Sequence, residues 1–343
     1  MWTLRSSSFG SCVTHANGLR RRLIVAGAAL ALVPSWARPE PGRTVRIGFL
    51  GLASGEGFYK EPLQAFRAAL RELGYVEGKN LAISARFAED RDERLPGLAA
   101  ELTRAKLDLI VSHGTQATQA LRQATTTIPI VMAAVGDPIG ARLVSSLARP
   151  GGNITGLTNI DVGLAAKRLE LLKEVVPQLS RVAVLYNSAN PSARLQMEES
   201  ESAAGPLGVE LRLFDVRASR DLEAAFAAIA AWRADALDVL SDPTFLSRRR
   251  QIAALAAAAR LPSVFARREN VAAGGLMSYG TNLSDQFREV AVYVDKVLKG
   301  ARPGDLPIGQ AAVYQLAINI KTARALGLAV SKELIVRAHE VIE

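Results

Sequence analysis

The sequence has few of the residues on which disulfides, metal sites and acid–base catalysis most often depend. Its 343 residues include one cysteine and three histidines, and aromatic residues make up 6%. The cysteine, Cys12, lies near the N-terminus, and no two histidines have the spacing of metal ligands. A disulfide framework and a Cys/His metal site are therefore excluded for the rest of the chain.

Long hydrophobic runs are also lacking, since no stretch reaches the roughly 18–20 apolar residues of a membrane-spanning helix. Residues 1–37 predict an export signal instead. Arginines at 20–22 precede an apolar run at 23–33, and Ser35-Trp36-Ala37 places small residues where a signal peptidase cleaves. A buried helix or an uncleaved anchor are the alternatives. Because Cys12 precedes the apolar run, it cannot anchor a lipoprotein, and we expect the mature protein to be free in the periplasm.

The charge is moderate and spread along the chain. Four of the nine net positive charges belong to the arginines of the export signal, which leaves about +5 for the mature protein. A nucleic-acid-binding protein would need a clustered basic patch, which the sequence does not show. We therefore expect no nucleic acid partner.

The order of apolar segments predicts the fold. The length favours two domains, and strand-like runs alternate with segments of helical periodicity. Leu63, Phe66, Leu70 and Leu73 form one such helical stripe. Strands are predicted at 45–50, 81–87, 107–111 and 128–132, and then again at 181–186, 209–214 and 236–240. This βα order predicts an α/β fold class with two doubly wound parallel-sheet (Rossmann-like) lobes and a ligand cleft between them.

Candidate ligand-binding residues follow the predicted strands, because ligands of open parallel sheets bind beyond the carboxyl ends of the strands. The helix N-termini there suit a carboxylate, and two aspartates suit an ammonium group, so the cleft is expected to hold a zwitterion. The alternative is that these polar residues are only helix caps, and that the aromatic one packs within a lobe. The candidates are Ser54, Thr115, Asp137, Asn187, Asp242 and Tyr279.

Nothing in the sequence predicts catalysis, a metal or a cofactor. His113 follows a predicted strand, and both a structural role and a contact with ligand stay open for it. The serine of Gly51-Leu52-Ala53-Ser54-Gly55 is one place too late for a nucleophile elbow. Residues 74–80 lack the spacing of a phosphate-binding loop and follow a helix. A lobe-cleft enzyme would need a buried acid–base pair, which the pattern does not show.

From residue 45 to the C-terminus, the chain resembles the tryptophan/tyrosine-type ABC transporter substrate-binding proteins. The segments that carry the resemblance are 72–80, 128–138, 147–157, 167–174, 273–280, 293–300 and 319–328. One departure lies beside the expected cleft. The family tends to have Gly-Thr-Pro after its third strand, whereas this chain has Gly114-Thr115-Gln116, with His113 where a small residue is usual.

The resemblance implies a type I periplasmic-binding-protein fold in which three crossings join the lobes. Lobe 1 would comprise residues 44–157 plus 276–310, and lobe 2 residues 158–275 plus 311–343. It also implies hinge closure around a small ligand, an amino acid or a related carboxylate, and delivery by a monomer to an ABC importer permease. An extracytoplasmic sensor that feeds a receptor is the alternative. A sugar-responsive repressor would need a helix-turn-helix where the export signal stands.

Overall fold

The computed structural model describes residues 43–55, 57–159, 164–310 and 313–343. The predicted export signal at 1–37 lies outside the described residues. No helix within the described ranges is long and apolar enough to cross a membrane.

The strands form two sheets. The first sheet contains β1 (Val45–Gly51), β2 (Leu81–Phe87), β3 (Leu109–His113), β4 (Ile130–Val135), β5 (Ile154–Thr158) and β11 (Gly309–Gln310). The second contains β6 (Arg181–Tyr186), β7 (Glu210–Asp215), β8 (Ala236–Val239), β9 (Ser263–Phe265), β10 (Met277–Thr281), β12 (Tyr314–Asn319) and β13 (Glu340–Ile342).

The strand orders are those of doubly wound sheets. The first sheet runs β11-β5-β4-β3-β1-β2 with every neighbouring pair parallel. The second runs β13-β12-β10-β9-β8-β6-β7 and is parallel except between β10 and β12. Both β3 and β4 are buried along their whole length, as expected for strands covered on both faces. The predicted fold class is therefore confirmed.

Helices cover both sheets, and we call each sheet with its helices a lobe. The first lobe has α1 (Lys60–Glu72), α2 (Leu95–Arg104), α3 (Thr115–Ala124) and α10 (Leu283–Leu298). The second lobe has α4 (Leu164–Val175), α5 (Ala193–Leu207), α6 (Leu222–Ala231), α7 (Pro243–Ser247), α8 (Arg249–Ala258), α9 (Arg268–Ala272), α11 (Ile320–Leu326) and α12 (Lys332–Arg337).

Helices α1 and α10 show how the apolar stripes of the sequence become core. Leu63, Phe66 and Leu70 of α1 are buried in one cluster with the apolar stripe of α10. Burial of each large apolar side chain contributes about 1.5–3 kcal/mol. Leu73 was predicted as part of the stripe but is 37% exposed, because it lies past the last residue of α1.

The chain passes between the lobes three times. It leaves the first sheet after β5 and enters α4, which packs on the second sheet. It returns after β10 into α10, which packs on β4 and β5, and it leaves again between β11 and β12.

The second crossing lies later than the expected boundary at residue 276. Strand β10 pairs with β9 and β12, so Met277–Thr281 belongs to the second sheet and not to lobe 1. The reason is that β10 follows the short helix α9 and continues the βαβ order of its own sheet. The other lobe boundaries remain a prediction.

Candidate functional site

Loops from the carboxyl ends of both sheets meet in one cavity between the lobes. Its first-lobe wall consists of Phe58, His113, Gly114, Thr115, Ala134 and Gly136. Its second-lobe wall includes Asn190, Ser192, Gln196, Asp242, Pro243 and Arg267. Residues next to two of the crossings, Asn159 and Leu283, complete it. This is the position in which open parallel sheets bind ligands.

Asp242 provides a buried carboxylate in this cavity. It is the N-cap of α7, where its Oδ1 accepts the backbone N–H of Thr244 at 2.8 Å. Its Oδ2 accepts the side-chain amides of Asn190 at 2.9 Å and Asn187 at 3.2 Å. Burial raises the pKa of Asp242, while these donors lower it. Because the three donors are neutral, a cationic group in the cavity would stabilise the ionised carboxylate further.

An acidic side chain of the first lobe adds to the negative potential near Asp242. Burial, followed by the charges of Asp242, Glu93 and Asp90, raises the pKa of Asp92 to about 6. Carboxylates of the two lobes therefore repel each other here.

The start of α3 forms the facing wall in the first lobe. Gly114 caps this helix with φ of 83°, a left-handed conformation that favours glycine. The first backbone N–H groups of a helix lack intrahelical acceptors and attract anions. The Thr115 hydroxyl lies 2.6 Å from the Ser192 hydroxyl, so the lobes are in direct contact at this wall.

Arg267 is the cation of the cavity. It follows β9 by two residues and is 6% exposed. Its Nη1 donates to the Thr281 carbonyl at 2.9 Å and also contacts the hydroxyl of that residue. Gln286, 3.4 Å from the same Nη1, donates its own amide to Asn159. This network joins the cavity to two of the crossings.

His113 lines the cavity as a neutral ring. Its Nδ1 lies 2.9 Å from the hydroxyl of Tyr59, and it packs against Phe58 and Phe287. Burial, with a smaller effect of the Arg267 charge, lowers the pKa of His113 to about 3. The ring therefore has a structural hydrogen bond and also forms part of the wall, and its contact with a ligand stays a prediction.

The six candidate residues fall into three groups. Thr115 and Asp242 line the cavity, and Asn187 lies behind it as a donor to Asp242. Ser54 and Asp137 lie outside the lining. Ser54 accepts the N–H groups of Phe58 and Tyr59 with its backbone carbonyl, and the Asp137 carboxylate accepts the N–H of Gly140 at 2.7 Å. Tyr279 lies outside the cavity as well and packs on Tyr314.

Arg267 and Ser192 also line the cavity and were not predicted from the sequence. Arg267 follows a strand end, which is the signal used for the other candidates, but β9 has three residues and was not predicted. Gln116, where the chain differs from the family pattern, is buried at the start of α3 and lies outside the cavity lining. The atoms of its side-chain amide have no hydrogen-bond partner among the described residues.

The described residues contain no group of three or more His, Cys, Asp or Glu side chains placed to hold a metal ion. Two doubly wound lobes with a cavity at their facing strand ends are typical of a protein that binds a small molecule. The chain belongs to the family of ABC transporter substrate binding proteins, whose family model matches residues 47–342. Members of this family are extracytoplasmic solute-binding proteins and not enzymes.

Known relatives and structures agree with this assignment. The chain is 28% identical over 265 residues to a tyrosine-binding protein of Clostridioides difficile (strain R20291), a match covering 77% of this chain and 76% of the relative. It is 28% identical to a Streptococcus pneumoniae ABC domain solved with L-Trp (TM-score 0.82), covering 87% of this chain and 100% of that one. It is 30% identical to a conserved domain protein from Vibrio cholerae, with the same coverage and TM-score. The type I periplasmic-binding-protein fold expected from the resemblance is confirmed.

Proposed function

We propose that this protein binds an amino acid with an aromatic side chain between its lobes and delivers it, as a periplasmic monomer, to the permease of an ABC importer. The observation that carries the proposal is the buried pair of opposite charges, Asp242 and Arg267, in one cavity between the lobes. Opposite charges of this kind recognise the two ends of a zwitterion.

Each end of the ligand has a partner in the cavity. The ammonium group would add a charged donor to the neutral donors around the Asp242 carboxylate, and a hydrogen bond between charged groups is stronger than one between neutral groups. The carboxylate would bind near Arg267 or the start of α3, since a guanidinium and the first turn of a helix both line the cavity there. The relatives that bind tyrosine or contain L-Trp support an amino acid as the ligand class.

The remaining walls suit a flat apolar side chain. Phe58 and His113 offer ring faces, and Leu195, Leu246 and Leu283 offer aliphatic surface. An aromatic ligand ring gains from such neighbours through burial and ring–ring contact. Because His113 is neutral, it packs against an apolar ring without the cost of burying a charge.

Ligand entry requires that the lobes move. The lobes contact each other at the wall of the cavity, where the Thr115 hydroxyl lies 2.6 Å from the Ser192 hydroxyl. The lobes therefore separate to admit the ligand and close on it, as in other hinged two-lobe proteins. The ligand favours the closed form through contacts that it makes only there.

L-Tryptophan and L-tyrosine are expected to raise the melting temperature of the mature protein, residues 38–343, whereas glucose and ribose leave it unchanged. Binding to the folded state alone stabilises it by about 2.7 kcal/mol at a hundredfold excess over Kd. A thermal-shift series followed by titration calorimetry measures this effect. A clear shift with a neutral sugar and none with any amino acid would overturn the proposal.

Replacing Gly136 with alanine is expected to act as a wedge between the lobes. A Cβ at this residue would lie 2.6 Å from Ser192 Cβ in the facing lobe, closer than real contacts allow. A loss of about 1.4 kcal/mol in the free energy of closure raises Kd tenfold. We therefore expect the affinity for L-tryptophan to fall roughly tenfold or more. Small-angle scattering with saturating ligand should show a larger radius of gyration than wild type.

The matched control for the wedge is Gly97→Ala. Gly97 lies in α2, and a Cβ there would have no atom within 4 Å. This variant should bind like wild type and be slightly more stable, because alanine is the better helix former. An unchanged Kd for Gly136→Ala would show that the Gly136–Ser192 contact has no part in closure.

A further inference from the structure

A second contact between the lobes lies outside the cavity lining. Asp90 follows β2 in the first lobe, and its Oδ2 accepts the hydroxyl of Ser247 at 2.5 Å. The same oxygen lies 3.1 Å from Nη2 of Arg248. Ser247 ends α7 and Arg248 follows it, so both partners of Asp90 belong to the second lobe.

The Asp90 side chain is buried by this contact. It is 8% exposed, whereas that of Arg248 is 42% exposed. Burial raises the pKa of Asp90, and Ser247 and Arg248 act in the opposite direction. The Asp90 carboxylate therefore loses contact with water, and the Ser247 hydroxyl and the Arg248 guanidinium compensate for part of that loss.

The backbone around Asp90 is held in a conformation that few residues adopt. Glu89 and Asp90 have φ of 55° and 58°, in the left-handed region. The Asp90 N–H donates to the Leu52 carbonyl at 2.9 Å, which fixes the loop to the end of β1. The first lobe thus presents this carboxylate from a fixed position.

Helix α7 connects this contact to the cavity. Asp242 caps its first turn, and Ser247 is its last residue. The Leu246 N–H donates to the Asp242 carbonyl at 3.1 Å, and the Arg248 N–H donates to the Thr244 carbonyl at 3.0 Å. The carboxylate that faces the ligand and the groups that reach Asp90 therefore belong to one short hydrogen-bonded unit.

We propose that Asp90, Ser247 and Arg248 are positioning residues that set ligand affinity by stabilising the closed lobes without touching the ligand. The inference rests on the proposed function, since it assumes that the lobes open and close. Closure buries the Asp90 carboxylate, and Arg248 with Ser247 offsets the cost of that burial. Without the Arg248 charge, closure would leave a buried carboxylate with only a hydroxyl as partner.

The test is a double-mutant cycle on the mature protein with L-tryptophan as probe. Arg248→Gln should raise Kd roughly tenfold, because a buried carboxylate then lacks its counter-charge. Asp90→Asn should raise Kd less, since an amide keeps the Ser247 hydrogen bond without a charge to bury. Adding Asp90→Asn to Arg248→Gln should bring Kd back to within about threefold of wild type.

Arg250→Gln is the matched control. Arg250 lies two residues beyond Arg248 and is exposed, so this variant changes net charge equally and should leave Kd unchanged. Equal losses in Arg248→Gln and Arg250→Gln, or a double variant no better than Arg248→Gln, would overturn the proposal.

A measurement without ligand separates this proposal from the proposed function. The only cysteine of the chain is Cys12, so one cysteine introduced at an exposed position in each lobe of the mature protein allows specific labelling. Distance distributions between the labels should shift to longer values in Arg248→Gln and return in the double variant. Wild-type protein that binds neither L-tryptophan nor L-tyrosine would contradict the proposed function. Normal binding with identical Kd values and distances in all four proteins would contradict the positioning role alone.

Discussion

Replacing Asp242 with asparagine is expected to weaken L-tryptophan binding by roughly a hundredfold, because removing one partner of a buried charge pair costs about 2–5 kcal/mol. An amide has the same shape and can still accept the Thr244 N–H, so α7 keeps its cap. The variant loses the interaction between the carboxylate and the ligand ammonium group. Its amide nitrogen also replaces the oxygen that accepts Asn187 and Asn190, so a comparison of ligands is needed to isolate the ammonium interaction.

Two measurements separate this effect from general damage to the cavity. Indole-3-propionate, which is L-tryptophan without its amino group, should lose far less affinity in the variant, because it has no ammonium group to pair. The affinity of the wild-type protein for L-tryptophan should fall as pH is lowered through the raised pKa of Asp242, because the protonated carboxyl no longer pairs with the ligand. Asp242→Asn should lack this dependence.

The matched control for this prediction is Asp137→Asn. Asp137 follows the end of β4 and is also an aspartate at a strand end, but its carboxylate accepts the Gly140 N–H outside the cavity lining. Titration calorimetry should give wild-type affinity for this variant. Equal losses for L-tryptophan and its deaminated analogue in Asp242→Asn would remove Asp242 from its role in binding the amine.

The second large effect concerns stability and a buried ion pair in the second lobe. Replacing Asp238 with leucine is expected to lower the free energy of unfolding by about 3–5 kcal/mol, because Arg168 is then buried without a counter-charge. Replacing both residues, as Arg168→Met with Asp238→Leu, should restore most of that loss.

The geometry of the pair explains this expectation. Arg168 of α4 and Asp238 of β8 are 1% and 0% exposed, and Arg168 Nε lies 3.7 Å from Asp238 Oδ1. Both Asp238 oxygens have no hydrogen-bond partner among the described residues. Burial raises the pKa of Asp238 to about 6, while the Arg168 charge acts in the opposite direction. Folding removes water from both charges of such a pair, and each charge is then stabilised by the other.

Urea denaturation of Asp238→Leu, the double variant and wild type at pH 7 provides the measurement. Glu198→Gln is the control, since the Arg194–Glu198 pair is more than half exposed on both sides and should contribute less than about 1 kcal/mol. A double variant as unstable as Asp238→Leu would show that the two side chains contribute through packing and not through their charges.

Strand and helix patterns predicted the fold well where segments were long. The runs that became β1, β3, β4 and β6 are buried and apolar, and their order alone indicates two doubly wound sheets. Between β8 and β10, the short elements β9, α7 and α9 were not predicted, because β9 has three residues and α7 and α9 have five each. Elements this short have no clear period, and tertiary contacts decide them.

The same limit applies to the cavity. The rule that ligands lie beyond strand ends led to Thr115 and Asp242, and it led equally to Ser54 and Asp137, which lie outside the lining. Only some of these loops reach the facing lobe. The relative orientation of the two sheets decides which of them do. Likewise, the closeness of Gly136 and Ser192 follows from tertiary structure, since 56 residues separate them in the chain.

The position of β12 in the second sheet bears on the order in which that sheet forms. This strand, Tyr314–Asn319, lies between β10 and β13, although α10 and β11 of the first lobe separate it from β10 in the chain. The second sheet is therefore complete only after the chain has crossed to the first lobe and back, and contacts of such long sequence separation slow folding.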